Sequence, residues 1–140
     1  MPVTCVTEPK FISPIANKKS YMAFLPAVLV AAGIAILSLW ENPRVPESMA
    51  VNDKLAHLLM YAVLACSLMA AFVHIRRTTL FVYSSVWALV TAYGALIEIL
   101  QRFCSLSRSG EMADLYADAL GALIGILIVF LWHRLSTILR

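Results

Sequence analysis

Four apolar runs alternate with short polar segments along the chain. Met22 to Trp40, Leu55 to Val73, Leu80 to Ile97 and Leu115 to Trp132 are each almost free of charge. At about 1.5 Å rise per residue, each run predicts a helix that crosses or nearly crosses a hydrocarbon core of about 30 Å. The pattern therefore predicts an all-α fold, an integral membrane four-helix bundle. Residues 1–20 form an irregular N-terminal tail broken by Pro2, Pro9 and Pro14. Residues 21–134 hold the four transmembrane helices, and 135–140 a short C-terminal tail. Lys18-Lys19 before the first run imitates a secretory signal. The run is long for a signal core, however, and ends in Leu39-Trp40-Glu41-Asn42-Pro43 without a small-x-small cleavage site, so an uncleaved first helix is expected. Pro26 falls near its start, where a missing amide hydrogen bond costs least.

The polar residues are concentrated at particular helix ends. Asp53, His57 and Tyr61 recur every four residues at the opening of the second long helix, with Lys54 beside them. Gly94, Glu98 and Gln101 share a face of the third, and Asp114, Asp118, Gly121 and Gly125 a stripe of the fourth. A carboxylate in a greasy helix must face protein or water, so these last two stripes are expected to face each other. Ala117, Gly121 and Gly125 form a small-xxx-small face whose expected complement is Gly94 with Ala95.

Charge then orients the bundle. The N-terminal tail, the turn from His74 to Thr79 and the C-terminal tail are biased to Lys and Arg, with Glu8 their only acid. An even number of helices brings these segments together, and the bias puts both termini on the cytoplasmic side. The other connectors mix Arg44, Lys54, Arg102 and Arg108 with Glu41, Glu47, Asp53, Glu111 and Asp114, and are expected outside. Asp53, Lys54, His57, Glu98, Gln101, Asp114 and Asp118 would then meet at one depth, in or just beneath the outer leaflet.

Composition sharpens this reading. A hydrophobic fraction of 61% with 14% charge lies outside the range of soluble domains. A soluble helical bundle would also need polar faces that these helices lack. Cys5, Cys66 and Cys104 offer neither a disulfide framework nor a CxxC metal signature, and Cys66 reads as a small apolar filler. The net charge of +3 carries no basic run with interleaved aromatics, which excludes nucleic acid as the expected partner. Trp87, Tyr83 and Tyr93 read as packing or interfacial anchoring.

An Asp or Glu at a helix centre costs about 2.5 to 3.5 kcal/mol on insertion scales, and less near the interface, so Glu98 and Asp118 need partners. Mutual satisfaction that fixes helix register would require only one pair, and the cluster exceeds that. As an acid/base site, His57 held by Asp53 would move a proton, with Glu98 and Asp114 positioning the substrate, while Lys54 and Arg108 bind an anionic head group. The candidate catalytic residues are thus Asp53, His57, Glu98 and Asp114; the candidate binding residues are Lys54, Tyr61, Gln101, Arg108 and Asp118. Asp114, Asp118 and Glu98 could also hold a divalent cation, but a DxxxD pair alone is too common a pattern to assign one, and no metal or cofactor is expected. Nor is there a Ser or Cys nucleophile in a recognisable pattern, or a Gly-rich phosphate loop.

Three segments together carry a family resemblance. Asp53-Lys54-x-x-His57-x-x-x-Tyr61, then Gly94-x-x-x-Glu98-x-x-Gln101, then Arg108 followed by Asp114-x-x-x-Asp118-x-x-Gly121-x-x-x-Gly125 resemble the VanZ-like family of small bacterial membrane proteins. Asp118 stands where the family pattern usually has Asn, adding a possible negative charge beside Asp114. The resemblance implies a multi-pass protein of the bacterial cytoplasmic (inner) membrane. It also implies, through the protein that gave the family its name, a link to teicoplanin resistance. The expected function is engagement of a membrane lipid or lipid-linked cell-wall precursor by an outward polar pocket, lowering glycopeptide susceptibility. The alternatives are a membrane-embedded enzyme acting on a phospholipid or polyprenyl phosphate, and a small structural subunit with a membrane protein partner.

Overall fold

A computed structural model describes residues 18–39, 50–104 and 112–139. A single turn, α1 (Lys18–Met22), leads through Ala23 and Phe24 into α2 (Leu25–Leu39). Three long helices follow: α3 (Ala50–His74), α4 (Leu80–Cys104) and α5 (Met112–Ile138). The described residues hold four candidate membrane spans, Ser20–Leu39, Asp53–His74, Leu80–Phe103 and Met112–Ile138, and no strand. The all-α membrane bundle expected from the sequence is therefore the observed architecture. Pro26 is the second residue of α2, where its missing N–H leaves no ladder bond unmade.

The helices outrun the apolar runs that predict them. α4 continues past Glu98 and Gln101 to Cys104, α3 starts at Ala50, and α5 runs on to Ile138. Charge ends a hydrophobic run but does not end a helix: Glu, Gln and Arg are good helix formers. A true stop lies between α3 and α4. Arg76 takes a left-handed conformation with φ of 56°. The Arg76 amide donates to the Val73 carbonyl at 3.0 Å and the Arg77 amide to the Phe72 carbonyl at 2.9 Å, the paired bonds of a Schellman ending. Thr79 opens α4 by accepting the Val82 amide on its hydroxyl at 3.3 Å.

Side-chain contacts fix an up-down-up-down order. Phe24 at the start of α2 meets Phe72 at the end of α3, with centroids 5.2 Å apart. Gln101 near the end of α4 donates to the Ser38 carbonyl at the end of α2, 2.9 Å away. α3 and α5 run parallel and pack more extensively than any other pair. Their seam is glycine: a Cβ added to Gly121 would overlap the Leu58 carbonyl, and one added to Gly125 the Ala62 carbonyl. Backbone meets backbone there, as in small-residue membrane crossings. The small face on α5 thus packs on α3, and the expected complement at Gly94 and Ala95 of α4 is replaced by Leu58 and Ala62. The reason is registry: the Leu58 and Ala62 carbonyls are one helical turn apart, matching the Gly121 to Gly125 spacing.

A compact core of Ile34, Tyr61, Leu64, Met69, Val90 and Ile126 lies inside. Leu29, Leu37, Leu59, Leu89 and Leu131 face outward and are exposed, the apolar exterior that lipid requires. Cys66, the expected filler, sits half-buried with its thiol donating to the Gly125 carbonyl at 3.3 Å. Tyr93 packs against the core, Trp87 is exposed, and both have satisfied polar ends. Trp87 Nε1 donates to the Ala119 carbonyl at 3.1 Å, and the Tyr93 hydroxyl to the Ala31 carbonyl at 2.7 Å.

Candidate functional site

The polar residues come from three helix ends brought to one end of the bundle. Asp53 lies in the first turn of α3 and Asp114 in the first turn of α5, where the free amides and the helix dipole favour a carboxylate. His57 follows one turn after Asp53 on α3, and Asp118 one turn after Asp114 on α5. Glu98 and Gln101 approach them from the C-terminal half of α4. The glycine contacts just below, at Leu58 and Ala62, set α3 and α5 close enough for His57 and Asp118 to touch.

Their geometry is tight. His57 Nδ1 lies 3.0 Å from Asp118 Oδ1 and 4.0 Å from Glu98 Oε1. All three are buried, with Asp118 at 0% exposure, His57 at 3% and Glu98 at 9%. With Asp118 ionised, Nδ1–H donates, which fixes the tautomer and aims the imidazole. Asp118 also leans over Gly94 on α4: a Cβ there would strike Oδ2, Cγ and Cβ of the aspartate. The Gly94 position is therefore small because it houses a carboxylate. Asp118 Oδ2 has no hydrogen-bond partner among the described residues, and neither does the hydroxyl of Tyr61, whose ring is fully buried. The Tyr61 ring stacks beneath His57, 6.2 Å away and 8° from parallel, and also meets Tyr93 at 6.3 Å.

Most of the predicted residues converge. Asp53, His57 and Asp114 offer ligand atoms within 4.8 Å of one another, as do His57, Glu98 and Asp118. His57 is common to both groups and lies between an outer and an inner carboxylate pair. Asp114 is buried, whereas Asp53 and Lys54 are half-buried at the rim. Gln101 is buried but spans to the Ser38 carbonyl, so it ties α4 to α2. The carboxylate on Nδ1 is Asp118, not the Asp53 suggested by the four-residue spacing: Asp53 precedes His57 on the same helix, while the close α3–α5 seam delivers Asp118 from across it. Arg108, Arg44 and Glu111 lie outside the described residues. Ser38 was not foreseen, since it takes part through its main-chain carbonyl, which leaves no trace in residue type.

The VanZ/LLP1 family model matches residues 10–133, most of the chain. The chain therefore belongs to the VanZ/LLP1 family, and its four apolar helices make it a multi-pass membrane protein. Neither a curated protein nor a solved structure shows significant similarity to it.

Proposed function

We propose, with VanZ/LLP1 membership as the premise, that the cluster around His57 is a ligand site. It engages the anionic group of a membrane lipid or lipid-linked cell-wall precursor and lowers susceptibility to teicoplanin-type glycopeptides. In this reading the chain lies in the bacterial cytoplasmic membrane with both termini inside, and the cluster opens toward the outer leaflet. The basic bias of Arg76, Arg77 and Arg134 at the opposite end supports that orientation.

The observation that carries the reading is the closure of three ionisable side chains from three helices around one point, His57, Glu98 and Asp118, within 4.8 Å. Helix register alone would need one such pair. A fully buried carboxylate oxygen without a hydrogen-bond partner among the described residues is costly in a membrane bundle unless something else meets it. Lys54 at the rim supplies a cation for a head group.

The test is binding of labelled teicoplanin to cells carrying wild type or Glu98→Gln at matched membrane levels. Wild-type cells are expected to bind less drug and grow at higher drug concentrations than cells lacking the protein, and Glu98→Gln cells to lose that difference. Equal binding and equal susceptibility in all three would dismiss the resistance role.

One observation favours a second reading, a membrane-embedded enzyme acting on a phospholipid or polyprenyl phosphate. The 3.0 Å contact between His57 and Asp118 orients an imidazole as an acid/base group needs. Turnover of such a lipid by purified wild type, abolished in His57→Ala, would support it; equal turnover in the variant would remove His57 from that role.

A further inference from the structure

We infer that His57, Glu98 and Asp118 form a binding site for a divalent transition-metal ion of the Zn²⁺ or Mn²⁺ class. The inference rests on reading this cluster as a ligand site and names what sits in it.

Three independent features point to a metal. The first is spacing. Ligand atoms on one four-coordinate ion of this class stand about 3.4 Å apart, given metal–ligand distances of about 2.0–2.2 Å. The distances from His57 Nδ1 to Asp118 Oδ1 and Glu98 Oε1, 3.0 and 4.0 Å, bracket that value. A side-chain adjustment of under about 1 Å at Glu98 would bring the set onto an ion. The second is charge. Neutral imidazole, two carboxylates and a divalent cation sum to zero, whereas the same carboxylates alone bring two negative charges into a membrane bundle. The third is the Asp118 Oδ2 atom, which is fully buried and has no hydrogen-bond partner among the described residues.

The donor set selects the class of ion. One imidazole nitrogen with two carboxylates suits Zn²⁺, Mn²⁺ or Fe²⁺, whereas Mg²⁺ and Ca²⁺ sites are built from oxygen. Three protein ligands leave a coordination position open, as in catalytic rather than structural sites. The open position also resolves a conflict of sign. Asp53, Asp114, Glu98 and Asp118 would repel the phosphate of a lipid head group, and a cation held among them attracts it. On binding, the ion takes the place of the proton between Nδ1 and Asp118, and the neutral imidazole carries its single proton on Nε2 instead.

The experiment is equilibrium dialysis of the full chain in detergent against ZnCl₂ or MnCl₂, with bound metal measured by mass spectrometry. Folding is checked in parallel by helical circular dichroism and thermal melting. Wild type is expected to retain one ion per chain and to melt at higher temperature with it. Asp118→Asn and Glu98→Gln each keep side-chain size and are expected to bind at least about tenfold more weakly and to lose the melting shift. Asp114→Asn, which belongs to the outer pair, is expected to keep the ion. No retained ion in folded wild type, or equal binding in wild type and both inner variants, overturns the inference. Loss in Asp114→Asn with retention in Asp118→Asn overturns the assignment to the inner group. Phosphatidylglycerol binding is then measured with and without EDTA. Metal bound without lipid would leave this site standing and count against the lipid reading, while lipid bound without metal would do the reverse.

Discussion

The two ends of the bundle treat charge in opposite ways. At the end where α3 and α5 begin, His57, Glu98, Asp114 and Asp118 are buried. At the other, His74, Arg76, Arg77 and Arg134 lie exposed, and Arg134 rests over the Phe130 ring at 5.4 Å while Phe130 packs edge-on against Tyr83 at 5.8 Å. Exposed cations beside aromatic rings are what a helix end needs to sit at a membrane surface. Buried carboxylates answer no such need, and their desolvation cost has to be met by partners. The difference is one of cost: solvated charge is tolerated at a helix end without partners, and enclosed charge is not.

Substitutions at each end should therefore fail differently, and the largest effect belongs to the seam that builds the enclosed end. Gly121→Leu forces a side chain into the Leu58 carbonyl and should cost about 3 kcal/mol or more, read as a large fall in melting temperature in detergent. Retention of the wild-type melting temperature would show that α3 and α5 do not meet through glycine. Asp118→Ala strips His57 of its acceptor and should cost about 1–3 kcal/mol by the same measurement. Gly94→Ala crowds the Asp118 carboxylate out of its place without touching the glycine seam. It should cost about 1 kcal/mol of stability and, on the proposed function, remove drug protection, a split that cell-binding and melting assays read separately. Gln101→Leu removes the bond to Ser38 and should cost about 1 kcal/mol. At the basic end the sign reverses. Arg76→Gly relieves a left-handed residue and should stabilise by about 1 kcal/mol, leaving drug binding unchanged.

The legibility of this molecule in its sequence follows the same division. The four spans are plain because lipid imposes length and apolarity on every one of them. The cluster is also legible, since Asp53, His57, Glu98, Asp114 and Asp118 are each anomalous in an apolar chain and each falls at a helix end. Which residues pair within it is not legible. His57 has an acid four residues away on its own helix, but its contact to Asp118 depends on how closely α3 approaches α5. That approach depends in turn on Gly121 and Gly125 finding main-chain carbonyls. A glycine stripe announces a close contact without naming its partner, which is why α4 was the expected neighbour and α3 the observed one. Ser38 illustrates the same limit, since any residue there would offer the carbonyl that Gln101 takes.

The most direct test of the proposed ligand site is mass spectrometry of the lipids and wall precursors that co-purify with wild type and with Glu98→Gln, prepared from equal amounts of membrane protein. That change preserves the size of the side chain and removes its charge. The account predicts a phosphate-bearing lipid or lipid-linked precursor enriched with wild type and depleted from a folded Glu98→Gln. Identical lipid profiles from two equally folded proteins would contradict it.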